Sequence, residues 1–591
     1  MTGPFLAAGA ISRMIVRAAL AAALLGLPSL RLFAASCNVL KHSPPSEADT
    51  ALLASNYAKA EGLYRAALAA HPGDAQFTSG LVHALLHEQK VQEAADAVSA
   101  SLAVAPNLAA LITLRGEVEY RQGFPWLAGQ SANDSLKLDP CNPRTFLLLA
   151  DLSRILSLYA SERRTLTAAY QLDPQDPEIR GEWMETLPVK QRIPEIEAYL
   201  AEPTGDDAED LRHLRMYLDH LKKLVVEPHK RCHLVSQTAA TEIPFVNIMY
   251  DANHIRAFGL DVKLNNRTSR LQIDTGAGGL LVSRSVARHA GLIPFSQEEV
   301  AGIGDEGNKP GYTAYADSIR IGNLEFQDCA VEVMNSRNTM EDEDGLIGMD
   351  VFSDFLVTLD YPMRKLLLGP LPSRPGEAAG AKPQLNTADE DEDDSVSVQQ
   401  PAKATQLDEP AAKGAPSGVI SPVQGSKDLS KDAAPASKPA PHGPYDRYVA
   451  PEMKDYTSVY RVGHNLIIPA SLNGKSLKLF ILDTGAWATT ISPQAAREVT
   501  KVHGGSGLEV EGLNGKVDKV YSADQITFNF ANLSQKNNDV TAFDTSKISK
   551  EVGMEISGLI GATTLNLLTI RIDYRDGLVK FDYNPKRGYS Y

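Results

Sequence analysis

The stretch Leu271-Gln272-Ile273-Asp274-Thr275-Gly276-Ala277 returns as Phe480-Ile481-Leu482-Asp483-Thr484-Gly485-Ala486. Each is an apolar run of strand type that ends in Asp-Thr-Gly-Ala. At average residue usage a given three-residue word occurs roughly 0.1 times in a chain of this size, so two copies in the same context call for a cause. The surroundings repeat too. A turn signal precedes each copy, Asn265-Asn266 and Asn473-Gly474, as expected of a hairpin feeding the strand. A glycine-bearing segment follows, Val300-Ala301-Gly302-Ile303-Gly304 and Val510-Glu511-Gly512-Leu513, with Gly302 28 residues past Asp274 and Gly512 29 past Asp483. Then come Gly345-Leu346-Ile347-Gly348 and Gly558-Leu559-Ile560-Gly561, and finally Asp360-Tyr361 and Asp573-Tyr574 before a last apolar strand. Shared features in one order imply an internal duplication of a β-rich unit.

These motifs resemble the aspartic proteases, specifically the retropepsin-like families, over residues 245–370 and 447–585. The resemblance implies two all-β lobes whose catalytic site forms where they meet. Carried over, the catalytic pair is Asp274 and Asp483, supported by Thr275, Gly276, Thr484 and Gly485. The threonines would hydrogen-bond across the pseudo-dyad, and the glycines would let backbone approach the carboxylates. Gly302, Ile303 and Gly304, with Gly512 and Leu513, would lie in flaps that close over a peptide substrate.

The chemistry accounts for the duplication. Two carboxylates about 3 Å apart cannot both ionise, so they share one proton. One then acts as base towards water while the other protonates the peptide carbonyl. No metal or cofactor is needed. Ala277 and Ala486 stand where pepsin-like enzymes often carry a serine donor. Losing a hydrogen bond to the charged form predicts a mildly acidic optimum. The competing expectation is an exported scaffold whose lobes bind peptides without cutting them. Pairing within one chain or between chains stays open.

Upstream the pattern is helical. Pro72, Pro106, Pro140 and Pro174 fall 34 residues apart, in step with Ala67, Ser101, Ser135 and Ala169 and with Leu68, Leu102, Leu136 and Tyr170. Such a period fits two antiparallel helices and a turn, closed by the proline. It resembles the tetratricopeptide (TPR) repeat, which implies an all-α solenoid, here assigned to 41–245, with a concave face for a protein partner. Leu211, Leu214, Leu218, Leu221 and Val225 predict an amphipathic capping helix over 206–226. His229, Cys232 and His233 lack a fourth ligand and are read as linker residues.

Residues 371–446 are rich in Pro, Ala, Ser, Lys and acidic residues and predict a disordered tether between lobes 246–370 and 447–585. A flexible chain of that length has a span near ~50 Å. At the N-terminus, Arg13 and Arg17, the apolar run Ala18–Leu30 and the small residues Ala34, Ala35 and Ser36 predict a signal peptide over 1–36. Export to the periplasm or beyond follows, with a membrane anchor only if Cys37 carries lipid. Export would permit a disulfide among Cys141, Cys232 and Cys329, the pair left open. The 591 residues carry 58 Lys+Arg against 73 Asp+Glu, net −15, which argues against nucleic acid as partner.

Overall fold

The computed structural model describes residues 6–7, 37–229, 232–249, 254–335, 344–375, 446–504 and 509–584. The expected signal peptide lies outside them except for Leu6–Ala7, a strand beside Leu533–Asn537. A helical region of eleven helices between Glu47 and Val226 precedes a β-rich region, as the sequence predicts.

The helices keep the proline period. Tyr57–Ala70, Val91–Val104, Pro125–Leu138 and Tyr159–Leu172 start 34 residues apart, and each ends two residues before its proline. Ala75–His87, Ala109–Arg121, Pro143–Ile155 and Pro177–Glu185 alternate with them at the same step. The small residues are where helices touch: Ala60, Ala94 and Ala128 are fully buried. Ser101 hydrogen-bonds Thr78 at 2.8 Å and Ser135 bonds Thr113 at 2.7 Å, so these polar groups are paired in the interhelical core.

The two β units repeat one strand pattern. In the first, Arg267–Asp274 runs parallel to Gly345–Gly348, with Asp274 opposite Gly348, and Gly345–Gly348 runs antiparallel to Leu280–Ser283. In the second, Ser476–Leu482 runs parallel to Gly558–Ile560, itself antiparallel to Thr490–Ile491. Gly345 and Gly558 share a φ of +153°, and a Cβ at either would collide with the carbonyl of Leu281 or Thr490. That conformation and that crowding restrict both positions to glycine. A short helix capped by Ser283 or Ser492 follows in each unit.

The units are joined by a six-stranded sheet. At its centre Phe355–Asp360 pairs antiparallel with Leu568–Asp573, Thr358 opposite Arg571. The pairing is made within one chain. The helices touch both units. Ala128, Ala132, Leu148, Leu149 and Leu152 share a core with Ile467, Leu479 and Ile481. The helix Ala208–Val226 lies against strand Ile293–Val300, where Lys223 donates to the Phe295 carbonyl at 2.6 Å and His213 meets Glu299 at 3.1 Å.

Several expectations are corrected. The helical region stops at Val226, not 245: Thr241–Pro244 alternates buried and exposed residues and forms an edge of the six-stranded sheet, and His233–Leu234 pairs with Leu324–Met334. Cys232 is no linker residue but forms a disulfide with Cys329, and His229 stacks on Tyr315 with ring centroids 3.5 Å apart. Cys37 pairs with Cys141, which leaves no thiol there to carry lipid. The tether is shorter than 371–446. Arg374 donates to Asp576 at 2.6 Å, and Asp446 caps helix Tyr159–Leu172 by accepting from the amides of Ala160 and Ser161 at 2.9 and 2.8 Å. Residues 376–445, where disorder was expected, lie outside the described residues.

Candidate active site

Both Asp-Thr-Gly-Ala loops leave the ends of their strands at the seam between the units. The threonines bond reciprocally across it. The Thr275 amide donates to Thr484 Oγ1 at 3.0 Å, and the Thr484 amide donates to Thr275 Oγ1 at 3.0 Å. Each hydroxyl in turn donates to a carbonyl of the opposite strand, Thr275 to Leu482 at 2.6 Å and Thr484 to Ile273 at 3.3 Å. Both side chains are buried, so every one of these groups would be an orphan without its partner.

This lacing brings the two carboxylates together. A methyl group at Gly276 would lie 2.7 Å from Asp483 Cγ and 2.9 Å from its Oδ1, and one at Gly485 would fall within the Asp274 carboxylate. Only glycine fits at either position, for steric rather than conformational reasons. The Gly276 amide donates to Asp274 Oδ1 at 2.8 Å, and the Ala486 amide donates to Asp483 Oδ1 at 2.8 Å. Burial pushes the Asp274 carboxyl well above the usual range, and the neighbouring Asp483 pushes it further. Burial likewise raises Asp483, against the amides that favour its charged form. Backbone donors limit the rise but do not cancel it, so the pair retains a proton into the neutral range.

The glycine-bearing segments meet each other. The Asn514 amide donates to the Ile303 carbonyl at 2.9 Å, Glu306 to Asn514 at 3.0 Å and Asp305 to Lys516 at 3.1 Å. A methyl at Gly302 would lie 2.8 Å from Leu513 Cβ, and one at Gly512 would press on Ile303 at 2.9 Å from its Cβ. The tips also cross: Leu513 packs with Leu281, Val300 and Ala277 of the first unit, and Ile303 packs in the cluster holding Ala486 of the second. Lys547 donates to the Gly304 carbonyl at 3.3 Å. Thus the structure brings together the two aspartates, the two threonines and their glycines at one seam, and Gly302, Ile303, Gly304, Gly512 and Leu513 at a second contact between the units.

Residues 260–351 match a family model described as aspartyl protease. No curated protein matches the chain. The matched segment contains Asp274, Gly302–Gly304 and Gly345–Gly348, and it supports a protease-type function. The second unit lies beyond it and is tied to the first by the repeated strand register.

Four residues at or beside the site escaped the sequence reading. Asp350 accepts from the Gly279 amide at 3.1 and 3.3 Å, and burial raises its carboxyl to about 6 against the opposing charge of Arg461. Arg461 donates to the Tyr574 carbonyl at 3.1 Å and lies 5.6 Å from that ring. His464, from the second unit, sits against Gly278 of the first, and burial lowers its imidazole to about 4, so it is neutral at ordinary pH. Trp487 follows Ala486 and is 63% exposed. A comparison of the two copies marks two of them, since Asp350 and Trp487 stand where the other copy has Thr563 and Gly278.

Proposed function

We propose that this chain is an aspartic endopeptidase working outside the cytoplasm, with Asp274 and Asp483 as a dyad that shares one proton. The observation that carries the reading is the reciprocal approach of the repeated loops, in which each loop glycine faces the other unit's carboxylate. The ionised member takes a proton from a bound water, whose oxygen attacks the peptide carbonyl carbon. The protonated member gives its proton to the carbonyl oxygen. The tetrahedral intermediate then collapses: the protonated member gives its proton to the nitrogen as the C–N bond breaks and the amine leaves, while a hydroxyl of the intermediate returns its proton to the other member as the carboxylic acid forms, so the dyad is left singly protonated. The contacting flaps would part to admit the chain and close over it, excluding water from the reacting centre.

In this reading residues 246–370 and 447–585 are two retropepsin-like lobes of one molecule. The helical region is a tetratricopeptide array, an architecture supported by its 34-residue period, and it holds a protein partner or substrate. The two disulfides, Cys37–Cys141 and Cys232–Cys329, favour an oxidising compartment and so favour export.

Incubating the folded chain with a mixed peptide library across about pH 3 to 8, with and without pepstatin, tests the reading. Cleavage that disappears with pepstatin and with Asp483→Asn is the expected result. Folded protein that cuts nothing anywhere in that range overturns it and leaves a peptide-binding scaffold.

A further inference from the structure

The two Asp-Thr-Gly-Ala loops are braced from behind by different chemistry. In the second unit the brace is neutral. The Gly561 amide donates to Thr489 Oγ1 at 3.2 Å, Thr489 and Thr564 share a hydrogen bond of 2.8 Å, and the Thr564 hydroxyl donates to Gln535 Oε1. All three side chains are buried and none of them titrates. In the first unit the brace is a carboxyl. Asp350 is 7% exposed, and both of its oxygens face the Gly279 amide, at 3.1 and 3.3 Å. The Gly348 amide completes the attachment by donating to the Gly279 carbonyl at 2.8 Å.

The contact is close. A methyl at Gly348 would lie 2.3 Å from Asp350 Oδ1 and 2.4 Å from the Ala277 carbonyl oxygen, so the acid, Gly348 and the loop backbone touch one another. His464 presses on Gly278 of the same loop from the second unit, 2.8 Å from where a methyl there would sit. Residues 276–279 are thus gripped between Asp350 and His464. That loop also supplies the Gly276 amide to Asp274 Oδ1, so its position sets where the carboxylate sits. The groups that face Asp350 from other elements are Arg461, whose charge favours its ionised form, and Tyr574, whose buried phenol senses both Asp350 and Asp274. Burial nevertheless raises Asp350 to about 6, whereas His464 is already neutral above about 4. Ionised, Asp350 gives the Gly279 amide a charge-assisted bond. Protonated, it sets a donor against a donor, and Arg461 loses the opposing charge.

We propose that Asp350 is a positioning residue for the dyad: as a carboxylate it holds the loop that carries Asp274, and when that charge is lost the site weakens from the acidic side. This rests on the peptidase reading of the site. Only the first unit responds, because the Thr489–Thr564–Gln535 brace of the second carries no proton to lose. The alkaline side of the active window is closed by the dyad itself, whose shared proton leaves as pH rises.

The test measures kcat/KM of the full chain on the mixed peptide library across pH, since that constant reports the free enzyme. The parent should lose about tenfold for each pH unit below about 6. Asp350→Asn keeps an oxygen for the Gly279 amide but cannot ionise. It should flatten that fall, losing about threefold or less near pH 7 and outrunning the parent by about threefold or more near pH 5. Asp350→Ala, with no acceptor, should be slow throughout and equally flat. His464→Gln should leave the midpoint of the fall where it is. A second readout needs no turnover. The favourable contribution of a raised carboxyl is present below its ordinary pKa and lost as pH climbs through the folded value. The thermal midpoint of Asp350→Asn should therefore gain on that of the parent between about pH 4 and 7. An acid limb that Asp350→Asn leaves in place, a limb that His464→Gln moves instead, or a thermal gap that does not change with pH overturns the inference. A widening thermal gap in a parent chain that cuts nothing upholds the brace and instead overturns the peptidase reading.

Discussion

The two ends of the tether converge on one carboxylate. Asp576, fully buried, accepts from Arg374 at 2.6 Å and from the Tyr448 amide at 2.9 Å, both through Oδ1. The 70 residues 376–445 lie between them in the sequence. The perturbation is to replace those residues by eight of Gly and Ser, leaving Arg374 and Asp446–Tyr448 in place. Eight residues reach up to about 26 Å, more than the gap that shared contact with Asp576 allows. On the disorder that their composition predicts, closing these residues costs about (3/2)RT ln n, so going from 70 residues to eight should stabilise the chain by about 2 kcal/mol. Urea denaturation reads this as a higher midpoint at unchanged slope. Specific cutting within 376–445 should, in turn, leave two fragments that elute together under native conditions, held by the shared sheet and the threonine lacing. A shortened chain that is less stable than the original would refute the convergence of the ends. Fragments that separate without denaturant would refute the strength of the pairing.

Asp274→Asn should abolish peptide cleavage yet raise the thermal midpoint near pH 7 by an amount worth at least about 1 kcal/mol. The sign follows from the raised carboxyl: its favourable contribution is present below the ordinary pKa and lost as pH climbs to the folded value, so at neutral pH the acid is a liability that the amide removes. A fall in midpoint at neutral pH would contradict it. For the same reason activity should persist above the strongly acidic range and fall as the dyad loses its shared proton, so a pH–rate profile peaking near pH 2 counts against the site as described. Thr275→Val should cost about 2–4 kcal/mol, because it orphans the Thr484 amide and the Leu482 carbonyl. Thr484→Val should cost less, since its own bond to Ile273 is the longer at 3.3 Å; the reverse order in urea titration would be inconsistent with the geometry. Cys329→Ala should cost about 2–5 kcal/mol by opening the bridge to Cys232, and equal stability of the variant and the oxidised parent would exclude the bridge.

Much of this molecule was legible because certain positions admit few residue types. The Gly276 and Gly485 contacts leave no room for a Cβ, and the +153° backbone at Gly345 and Gly558 admits little but glycine, so the duplicated motifs survive in the letters. The helical period was legible for the same reason: Ala60, Ala94 and Ala128 are buried where helices touch. What lay hidden depends on partners distant in sequence. His464 is unremarkable until Gly278 is placed beside it, and Asp576 reads as one more surface acid until both tether ends arrive there. The strands His233–Leu234 and Thr241–Pro244 are too short for periodicity to register, and are held by pairing with Leu324–Met334 and Lys365–Pro370. Cysteine spacing carries no pairing information at all.

The helical region is built into the β units rather than appended to them. Helices Pro125–Leu138 and Pro143–Ile155 give apolar faces to the core of the second unit, and the Glu555 amide donates to the Arg121 carbonyl at 2.9 Å. Surface committed in this way is unavailable for the partner binding proposed above, which would have to use other faces of the helical region. The last helix reaches the first unit at a telling place. Arg212 and His213 pair with Glu299, and His220 meets Ser296 at 2.7 Å, on the strand that runs straight into Gly302–Gly304. At the helix start, Asp207 pairs with Lys550 at 3.1 Å, and the helix Ser546–Val552 also supplies Lys547 to the Gly304 carbonyl. One helix therefore touches the strand that carries one flap and the element of the other unit that holds the flap tip. Any displacement of that helix must be accommodated by breaking these polar contacts or by moving the flap strand with it, because packed interfaces do not deform continuously. The helical region and the contact between Gly302–Gly304 and the second unit are thus mechanically joined.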